Sequence, residues 1–184
     1  MSGCERTVKI LVAGPFAVGK TTLVHGLSQI APVSTEAEMT SAGSGIDHTD
    51  LPAKKSTTVA MDFGRLHLAD DLVLYLFGAP GQSRFFPVLT DLARGALGAL
   101  VLADTRRLEE TYPVLEHIEL LGLPYVMAVN LFDGAPRYPL ERLREAMDLA
   151  PRAPLVSFDA RDAASSRQAL IALVRHLLMP ESSR

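Results

Sequence analysis

A stretch near the start of the chain combines glycines, a lysine and a hydroxyl at a spacing suited to phosphate chemistry. Residues 14–21 read GPFAVGKT and fit the pattern GxxxxGK[ST], between a β-rich run and residues at helical spacing. The glycines permit a tight turn in which successive N–H groups and a helix N-terminus face a phosphate. Lys20 can reach the β- and γ-phosphates and stabilise charge during catalysis, and the Thr21 hydroxyl can ligate Mg²⁺. The predicted phosphate-contacting residues are Gly14, Ala17, Val18, Gly19, Lys20, Thr21 and Thr22.

A glycine-rich turn that matches by chance is the alternative interpretation of this stretch. The full pattern in the correct context makes that alternative the weaker one. The loop alone does not distinguish guanine from adenine, or a switch from a motor.

Strand-like and helix-like segments alternate along the whole chain, which positions the loop within an α/β fold. The predicted strands are Thr7–Ala13, Val59–Leu68, Leu72–Phe77, Ala96–Ala103, Pro124–Val129 and Leu155–Ser157. The short connection at 69–71 predicts an antiparallel hairpin. Continuous apolar strands between helices predict a mostly parallel sheet covered on both faces. The irregular segment Ala31–Ser56 lacks periodicity, and a loop of that length is usually functional or mobile.

Composition restricts the class of protein. A chain of 184 residues suits one domain, and a net charge of −3 gives no expectation of nucleic acid as a partner. The single cysteine, Cys4, excludes an intrachain disulfide and favours a reducing, cytoplasmic setting. No secretion signal is recognised, and no apolar run reaches the ~20 residues of a membrane helix. We therefore expect no intrinsic membrane segment.

Several phrases along the chain together resemble a known family. They are GPFAVGKTTL, TTVAMDFG, LYLFGAPGQ, DTRRL and AVNLFDG. Over essentially the whole chain they resemble the Ras-like small GTPases. The resemblance is closer to the ATP/GTP-binding proteins of bacterial conservon operons, and more distant to the MglA-type bacterial polarity GTPases.

The resemblance implies a fold and an activity. The fold is a P-loop NTPase of the α/β class, with Ras-like three-layer architecture, a six-stranded mostly parallel sheet and one antiparallel edge hairpin. One domain would cover residues 1–184, with a switch I loop region at 31–56. The implied activity is a GTP/GDP molecular switch in bacterial signal transduction, which binds guanine nucleotide with Mg²⁺ and hydrolyses GTP slowly without a partner.

The same resemblance assigns roles to residues of the two switch regions. Thr58 matches the threonine that senses the γ-phosphate and, with Thr21, ligates Mg²⁺; Thr57 is a competing assignment. Gly81 matches the glycine whose N–H meets the γ-phosphate. Gln82 matches the catalytic glutamine that orients the attacking water.

Base recognition is assigned in the same way to two later motifs. Asn130 and Asp133 match the guanine-reading pair, in which the carboxylate accepts two hydrogen bonds from the base and disfavours adenine. Ala160 would offer its N–H to the guanine oxygen, within a base-contacting turn formed with Asp159 and Arg161.

Three positions depart from the family pattern. Gly78 stands where an aspartate usually supports Mg²⁺ through water, Leu131 replaces a lysine that packs along the base, and Asp159 replaces a serine. Asp62 and Asp104 are candidates for the missing acid, although Asp104 could equally be a helix N-cap or a surface acid. Nucleotide binding is therefore a firmer expectation than efficient hydrolysis.

Other side chains near the switch motifs admit two interpretations. Any of four arginines could stabilise charge during hydrolysis, or could simply be a solvated surface group; they are Arg65, Arg84, Arg106 and Arg107. The aromatics of 85–87 could form a partner patch or could pack beneath the switch helix. The five histidines show no metal-ligand spacing.

The resemblance also implies partners, namely a roadblock-type regulatory protein and a histidine-kinase-like membrane sensor. Through such a partner a cytoplasmic protein would lie at the membrane periphery. Two other functions stay open: a nucleotide-dependent binding module with negligible hydrolysis, and an ATP-using regulator.

Overall fold

The computed structural model describes residues 5–31, 33–39, 57–69 and 71–179, with residues 33–39 and 57–60 described by their backbone. The strands are β1 (Arg6–Ala13), β2 (Val33–Met39), β3 (Thr57–Ala69), β4 (Leu72–Gly78), β5 (Gly98–Ala103), β6 (Tyr125–Asn130) and β7 (Leu155–Phe158). The α-helices are α1 (Lys20–Leu27), α2 (Phe86–Ala93), α3 (Tyr112–Leu120), α4 (Leu140–Ala146) and α5 (Ala163–Leu178). Short 3₁₀ turns at Ser83–Phe85 and Leu108–Thr111 lead into α2 and α3.

The strands form one sheet in the order β2-β3-β4-β1-β5-β6-β7. β1 is parallel to both β4 and β5, and the parallel pairing continues through β6 to β7. The antiparallel pairs are β2 with β3 and β3 with β4. The predicted α/β class and the predicted hairpin of β3 and β4 are confirmed. Because β1, β4, β5, β6 and β7 run in one direction, their carboxyl ends meet at one edge, where open α/β sheets bind ligands.

The sheet has one strand more than the sequence predicts, because β2 lies inside the region predicted as a loop, 31–56. β2 pairs antiparallel with β3 from Val33 opposite Phe63 to Met39 opposite Thr57. It is an edge strand, and its sequence VSTEAEM has polar residues at every second position, 34, 36 and 38, so the expectation of no periodicity in this region is wrong for these seven residues. Residues 32 and 40–56 of the region lie outside the described residues, and a single domain over 1–184 stays a prediction.

Both faces of the sheet are covered, as continuous apolar strands require. Along β1, Ile10 and Val12 belong to a core with α1 and α5, whereas Leu11 and Ala13 belong to a second core with α2, α3 and α4. This alternation follows from the two-residue period of a strand. The central strand β1 is thereby packed against a core on each face of the sheet, and the loop that follows Ala13 begins from a buried strand.

The aromatics after the fourth strand pack inward. Phe85 is 9% exposed, and the ring of Phe86 stacks on His117 with centroids 4.6 Å apart. Of the two interpretations of this segment, the structure supports packing beneath the switch helix. Within the described residues, no helix has the length and apolar character needed to cross a membrane.

Candidate nucleotide-binding site

The loop between β1 and α1 encloses a buried lysine. Lys20, the first residue of α1, is 9% exposed. Its Nζ donates to the carbonyl of Gly14 at 2.9 Å and to that of Pro15 at 2.6 Å. Burial lowers the pKa of Lys20 to about 8, although the charge of Asp62 acts in the opposite direction. The Lys20 ammonium group, with little contact to water, is thereby held against the carbonyls at the start of the loop.

The shape of this loop depends on glycine at position 19. Gly19 has φ +104°, and a Cβ there would lie 2.5 Å from the Nδ2 atom of Asn130. The strained backbone and the close approach both exclude a larger residue. Ala17 also has a positive φ of 58°. Left-handed conformations spaced along a short loop in this way turn N–H groups inward and form an anion-binding concavity.

A hydroxyl and a carboxylate lie together beside the lysine. The Oγ1 of Thr21 donates to the Oδ2 of Asp62 at 2.5 Å, and Asp62 is 9% exposed on β3. Both are hard oxygen donors of the kind Mg²⁺ prefers, and Mg²⁺ commonly uses one or two protein oxygens and completes its shell with water. The donor set therefore fits Mg²⁺. Among the described residues no group of three or more His, Cys, Asp or Glu side chains could hold a metal ion.

Asp62 lies beside the position at which the resemblance leads us to expect an aspartate. Asp62 of β3 is paired directly with Gly78 of β4. A Cβ on Gly78 would lie 3.0 Å from the Cβ of Asp62 and 3.2 Å from its Oδ2. The acid of the neighbouring strand thus fills the volume that a side chain at position 78 would occupy. Of the two candidates for the missing acid, the structure places Asp62 beside Thr21.

Asp104 has a different environment. Its buried carboxylate accepts the backbone N–H of Arg106 at 2.9 Å and the NH2 of the same guanidinium at 2.6 Å. Burial alone would raise the pKa of Asp104, but the hydrogen bonds and charge of Arg106 outweigh it and hold the pKa below its ordinary value. Asp104 is therefore neither a surface acid, because it is fully buried, nor the cap of the following 3₁₀ turn, whose N-cap is Arg107; its carboxylate is paired with Arg106.

Arg106 links that pair to the site. Its guanidinium lies 3.9 Å from the ring centroid of Phe132, and Phe132 lines the same cavity as Lys20 and Thr21. Sequence reasoning missed Phe132, although an aromatic inside the NLFD motif was a visible signal. It also missed His25, whose Nε2 lies 3.4 Å from the Oδ1 of Asp62; the signal was the four-residue spacing from Thr21 on one helix.

A cavity of about 510 Å³ brings the phosphate-loop and switch motifs together. Of the predicted site residues, those lining it are Ala17, Gly19, Lys20, Thr21, Thr22, Gly81 and Gln82. Gly81 approaches the loop so closely that a Cβ would lie 2.4 Å from the carbonyl carbon of Pro15 and 2.5 Å from the oxygen of Gly14. Glycine is therefore required where the turn after β4 touches the phosphate loop.

The four candidate arginines separate in the structure. Arg84 lines the cavity beside Gln82. Arg106 is bound to Asp104, and Arg107 donates to the carbonyl of Phe16 at 3.1 Å. Arg65 pairs on the surface with Glu5. Arg84 is the best placed of the four to meet a charge in the cavity.

Asn130 joins the phosphate loop to the predicted base end. Its buried Nδ2 donates to the carbonyl of Val18 at 3.0 Å, and its Oδ1 accepts the N–H of Ala160 at 3.0 Å. Val18 therefore contributes its carbonyl to loop anchoring, while its side chain is part of the core. The N–H predicted to meet the guanine oxygen is already engaged, so a base would have to share or break that bond.

The predicted base-reading carboxylate carries an ion pair. Arg161 donates to Asp133 through NH1 at 2.5 Å and NH2 at 3.0 Å. It also donates to Asp159 through Nε at 3.0 Å and NH2 at 2.8 Å. The hydrogen bond from Arg161 lowers the pKa of Asp133, and that of Asp159 falls to about 2. The sequence predicts all three residues as base contacts, and the structure brings them together around one guanidinium.

The two candidate threonines of switch I are described by their backbone only. Thr57 and Thr58 begin β3, where they pair with Met39 and Glu38, and their side chains lie outside the described part. Thr58 precedes Asp62 by four residues of strand, which corresponds to about 13 Å along the chain. The metal-binding role of Thr58 stays a prediction.

The fold and the glycine-rich loop define the class of P-loop nucleoside-triphosphatase folds. A family model described as "Conserved hypothetical ATP binding protein" matches residues 12–180, and the chain belongs to this family. Among curated proteins, none matches the chain significantly.

Solved G domains share the architecture. The cytosolic domain of the T. maritima FeoB iron transporter in a GDP form superimposes with a TM-score of 0.67 at 18% identity, covering 96% of this chain and 65% of that one. The chain thus spans about two thirds of that domain. The isolated T. maritima FeoB G domain gives a TM-score of 0.64 at 18% identity, with 93% and 99% covered. The FeoB G-domain from Methanococcus jannaschii gives 0.63 at 14%, with 94% and 98% covered. At these identities the likeness shows the fold.

Proposed function

We propose that this chain is a nucleotide-dependent switch that binds guanine nucleotide with Mg²⁺ and hydrolyses GTP slowly. One observation carries the proposal: Lys20, Thr21, Asp62 and Gln82 surround a single cavity at the carboxyl edge of the parallel strands. Asn130 joins the phosphate loop to the predicted base end through its bonds to the carbonyl of Val18 and the N–H of Ala160.

Catalysis in such a site is positioning and electrostatic stabilisation. Lys20 would bind the β- and γ-phosphate oxygens and compensate charge that develops there. Thr21 and Asp62 would hold Mg²⁺, which supplies charge neutralisation when bound. Gln82, which lines the cavity, would orient the attacking water. Arg84 is exposed to water, which screens its charge, so it would stabilise charge on the phosphates only weakly. Intrinsic turnover would therefore be slow without a partner.

Two further functions have specific observations in their favour. Gly78 in place of an aspartate and Leu131 in place of a lysine favour a binding module in which nucleotide orders a docking surface and hydrolysis is negligible. Arg161 covers Asp133, and the family model carries the description of an ATP-binding protein, which together favour an ATP-using regulator.

Two measurements separate these functions. Dissociation constants of the stripped protein for GDP, GTP, ADP and ATP with Mg²⁺ test the base assignment, and equal or better adenine binding would contradict a guanine switch. Single-turnover GTP hydrolysis by Gln82→Leu then tests catalysis, with Gln168→Leu on exposed α5 surface as the matched control. We expect Gln82→Leu alone to abolish turnover while retaining affinity; unchanged turnover would leave the binding module.

The cellular role, too, rests on the resemblance. Bacterial signal transduction, a cytoplasmic protein peripheral to the membrane, and roadblock-type and histidine-kinase-like partners are proposals of this kind. Acceleration of single-turnover hydrolysis by a genetically linked partner would support them. No acceleration by any such partner would count against the regulated switch.

A further inference from the structure

The base end of the site contains a cation that competes with the base. The Arg161 guanidinium meets both oxygens of Asp133 in a two-donor, end-on arrangement. A guanine presents the same arrangement to a carboxylate, since its N1–H and N2–H donate in parallel from a planar guanidine-like edge. Arginine and guanine are therefore chemically similar ligands for one carboxylate.

Asp159 keeps that cation in place. Its carboxylate accepts the Nε of Arg161 at 3.0 Å, the NH2 at 2.8 Å and the backbone N–H at 2.9 Å. These side-chain bonds use the Nε and NH2 edge of the guanidinium, whereas Asp133 meets the NH1 and NH2 edge, so the two carboxylates share NH2. When Asp133 is released, Arg161 can remain on Asp159 and return. The serine expected at position 159 would not provide such an anchor.

The pair is exposed enough to exchange. The side chains of Asp133 and Arg161 are 85% and 55% exposed, and ion pairs at such exposure are weak and screened by salt. A guanine can therefore displace the guanidinium at a modest cost. The hydrogen bonds to Asp133 that guanine gains are partly offset by those that Arg161 loses.

Adenine is affected in the opposite direction. Against a bare carboxylate, adenine would leave Asp133 desolvated without donors, which is the usual basis of its rejection. With Arg161 in place, both oxygens of Asp133 keep their partners while adenine is bound. The cation thus weakens guanine binding and removes the penalty for adenine.

We propose that Arg161 is a specificity-determining residue that competes with guanine for Asp133 and so narrows the selectivity of this site between guanine and adenine nucleotides. This role rests on the nucleotide site proposed above. It makes base selectivity a property of an exposed ion pair, which ionic strength can shift.

The test compares dissociation constants for GDP and ADP, with Mg²⁺, in the parent protein and in Arg161→Ala. We expect GDP to bind about three- to tenfold more tightly to Arg161→Ala, and ADP to bind equally or more weakly. Arg161→Lys, which provides a single point charge in place of a planar fork, should fall between the two. Arg167→Ala is the matched control, because Arg167 is also an exposed arginine but lies on α5, away from Asp133 in the sequence. It should leave the preference for GDP, the dissociation constant of ADP divided by that of GDP, unchanged.

Salt provides an independent readout. GDP and ADP carry the same diphosphate, so screening of phosphate contacts cancels in their ratio. The preference for GDP, the dissociation constant of ADP divided by that of GDP, should rise with KCl in the parent protein and stay constant in Arg161→Ala. A ratio that Arg161→Ala leaves unchanged, or shifts toward ADP, would overturn the role of Arg161 while nucleotide binding itself stands. Failure of the parent to bind either nucleotide would overturn the proposed function and this role together.

Discussion

The phosphate end and the base end of the site are built differently. At the phosphate end, Lys20 and Asp62 are each 9% exposed. The backbone there packs so closely that positions 19 and 81 require glycine. At the base end, Asp133 and Arg161 are largely exposed and form an ion pair that another ligand can replace. The first is a preorganised pocket that retains one arrangement. The second is an exchangeable contact whose occupant depends on what competes for it.

This difference separates affinity from selectivity. Buried charges in a fixed loop contribute strongly to binding any nucleoside phosphate, because the protein supplies the polar environment before the ligand arrives. Exposed charges contribute little to the stability of the fold and exchange readily with solvent or ligand. Substitutions at the phosphate end should therefore change binding of all nucleotides, and those at the base end should change only the choice of base.

The largest effect is expected from Lys20→Met. Removing a buried cation that meets phosphate should weaken GDP and ADP equally, by about 10²–10³-fold. Equilibrium titration with both nucleotides measures this, and Lys9→Met, a lysine on the same chain outside the cavity, is the control. An effect confined to one of the two nucleotides would contradict the assignment of Lys20 to the phosphates.

Next in size is the effect of the acid that supports Mg²⁺. Asp62→Ala should remove the difference in GDP affinity between Mg²⁺ and EDTA, which we expect to be about tenfold or more. Because Asp62 and position 78 share one volume, Asp62→Ala combined with Gly78→Asp should restore that difference.

The double variant is the more specific test, because it asks whether an acid at position 78 can replace the one at position 62. Asp91→Ala, an exposed acid on α2, controls for lost negative charge. If the double variant folds but shows no Mg²⁺ dependence, the two strands do not provide equivalent positions for the acid.

A smaller effect concerns the stability of the protein without ligand. The pKa of Lys20 is about 8 in the folded state, against an ordinary value of 10.5. Between these values the unfolded chain holds a proton that the folded chain has released, so the free energy of unfolding rises with pH. The rise should be about 1–3 kcal/mol across this window, and should be absent below pH 8.

Urea unfolding of the parent and of Lys20→Met, from pH 7 to pH 10, isolates this contribution. Other groups titrate alike in both proteins, so their effects cancel in the difference. A difference that stays constant over the window would show that the Lys20 pKa is not lowered by burial.

The smallest effect is expected at the base end. Asp133→Asn should leave the urea midpoint unchanged, because the exposed ion pair contributes little to folding. It should reduce the preference for GDP over ADP by about three- to fivefold, a modest loss because Arg161 already competes for this carboxylate. A large fall in the midpoint would remove the distinction between the two ends of the site.

Much of the fold and of the phosphate site was predictable from the sequence. The hairpin of β3 and β4 and the buried parallel strands follow from connection length and apolar runs, and both are confirmed. The strand β2 was missed because the two-residue alternation in VSTEAEM is short and only weakly apolar, and it lies within a long segment that is otherwise irregular. The inward packing of Phe85 and Phe86 was undecided because composition alone does not say which side of a helix a core covers.

What the sequence by itself determined is the phosphate loop, because its residues are consecutive and their backbone preferences act locally. Tertiary structure decided which acid lies beside Thr21 and which cation occupies Asp133. Asp62 and Thr21 are 41 residues apart, and Arg161 and Asp133 are 28 apart. Contacts over such separations depend on strand register and on how strand ends align at the sheet edge, and one residue of slip would direct each side chain elsewhere.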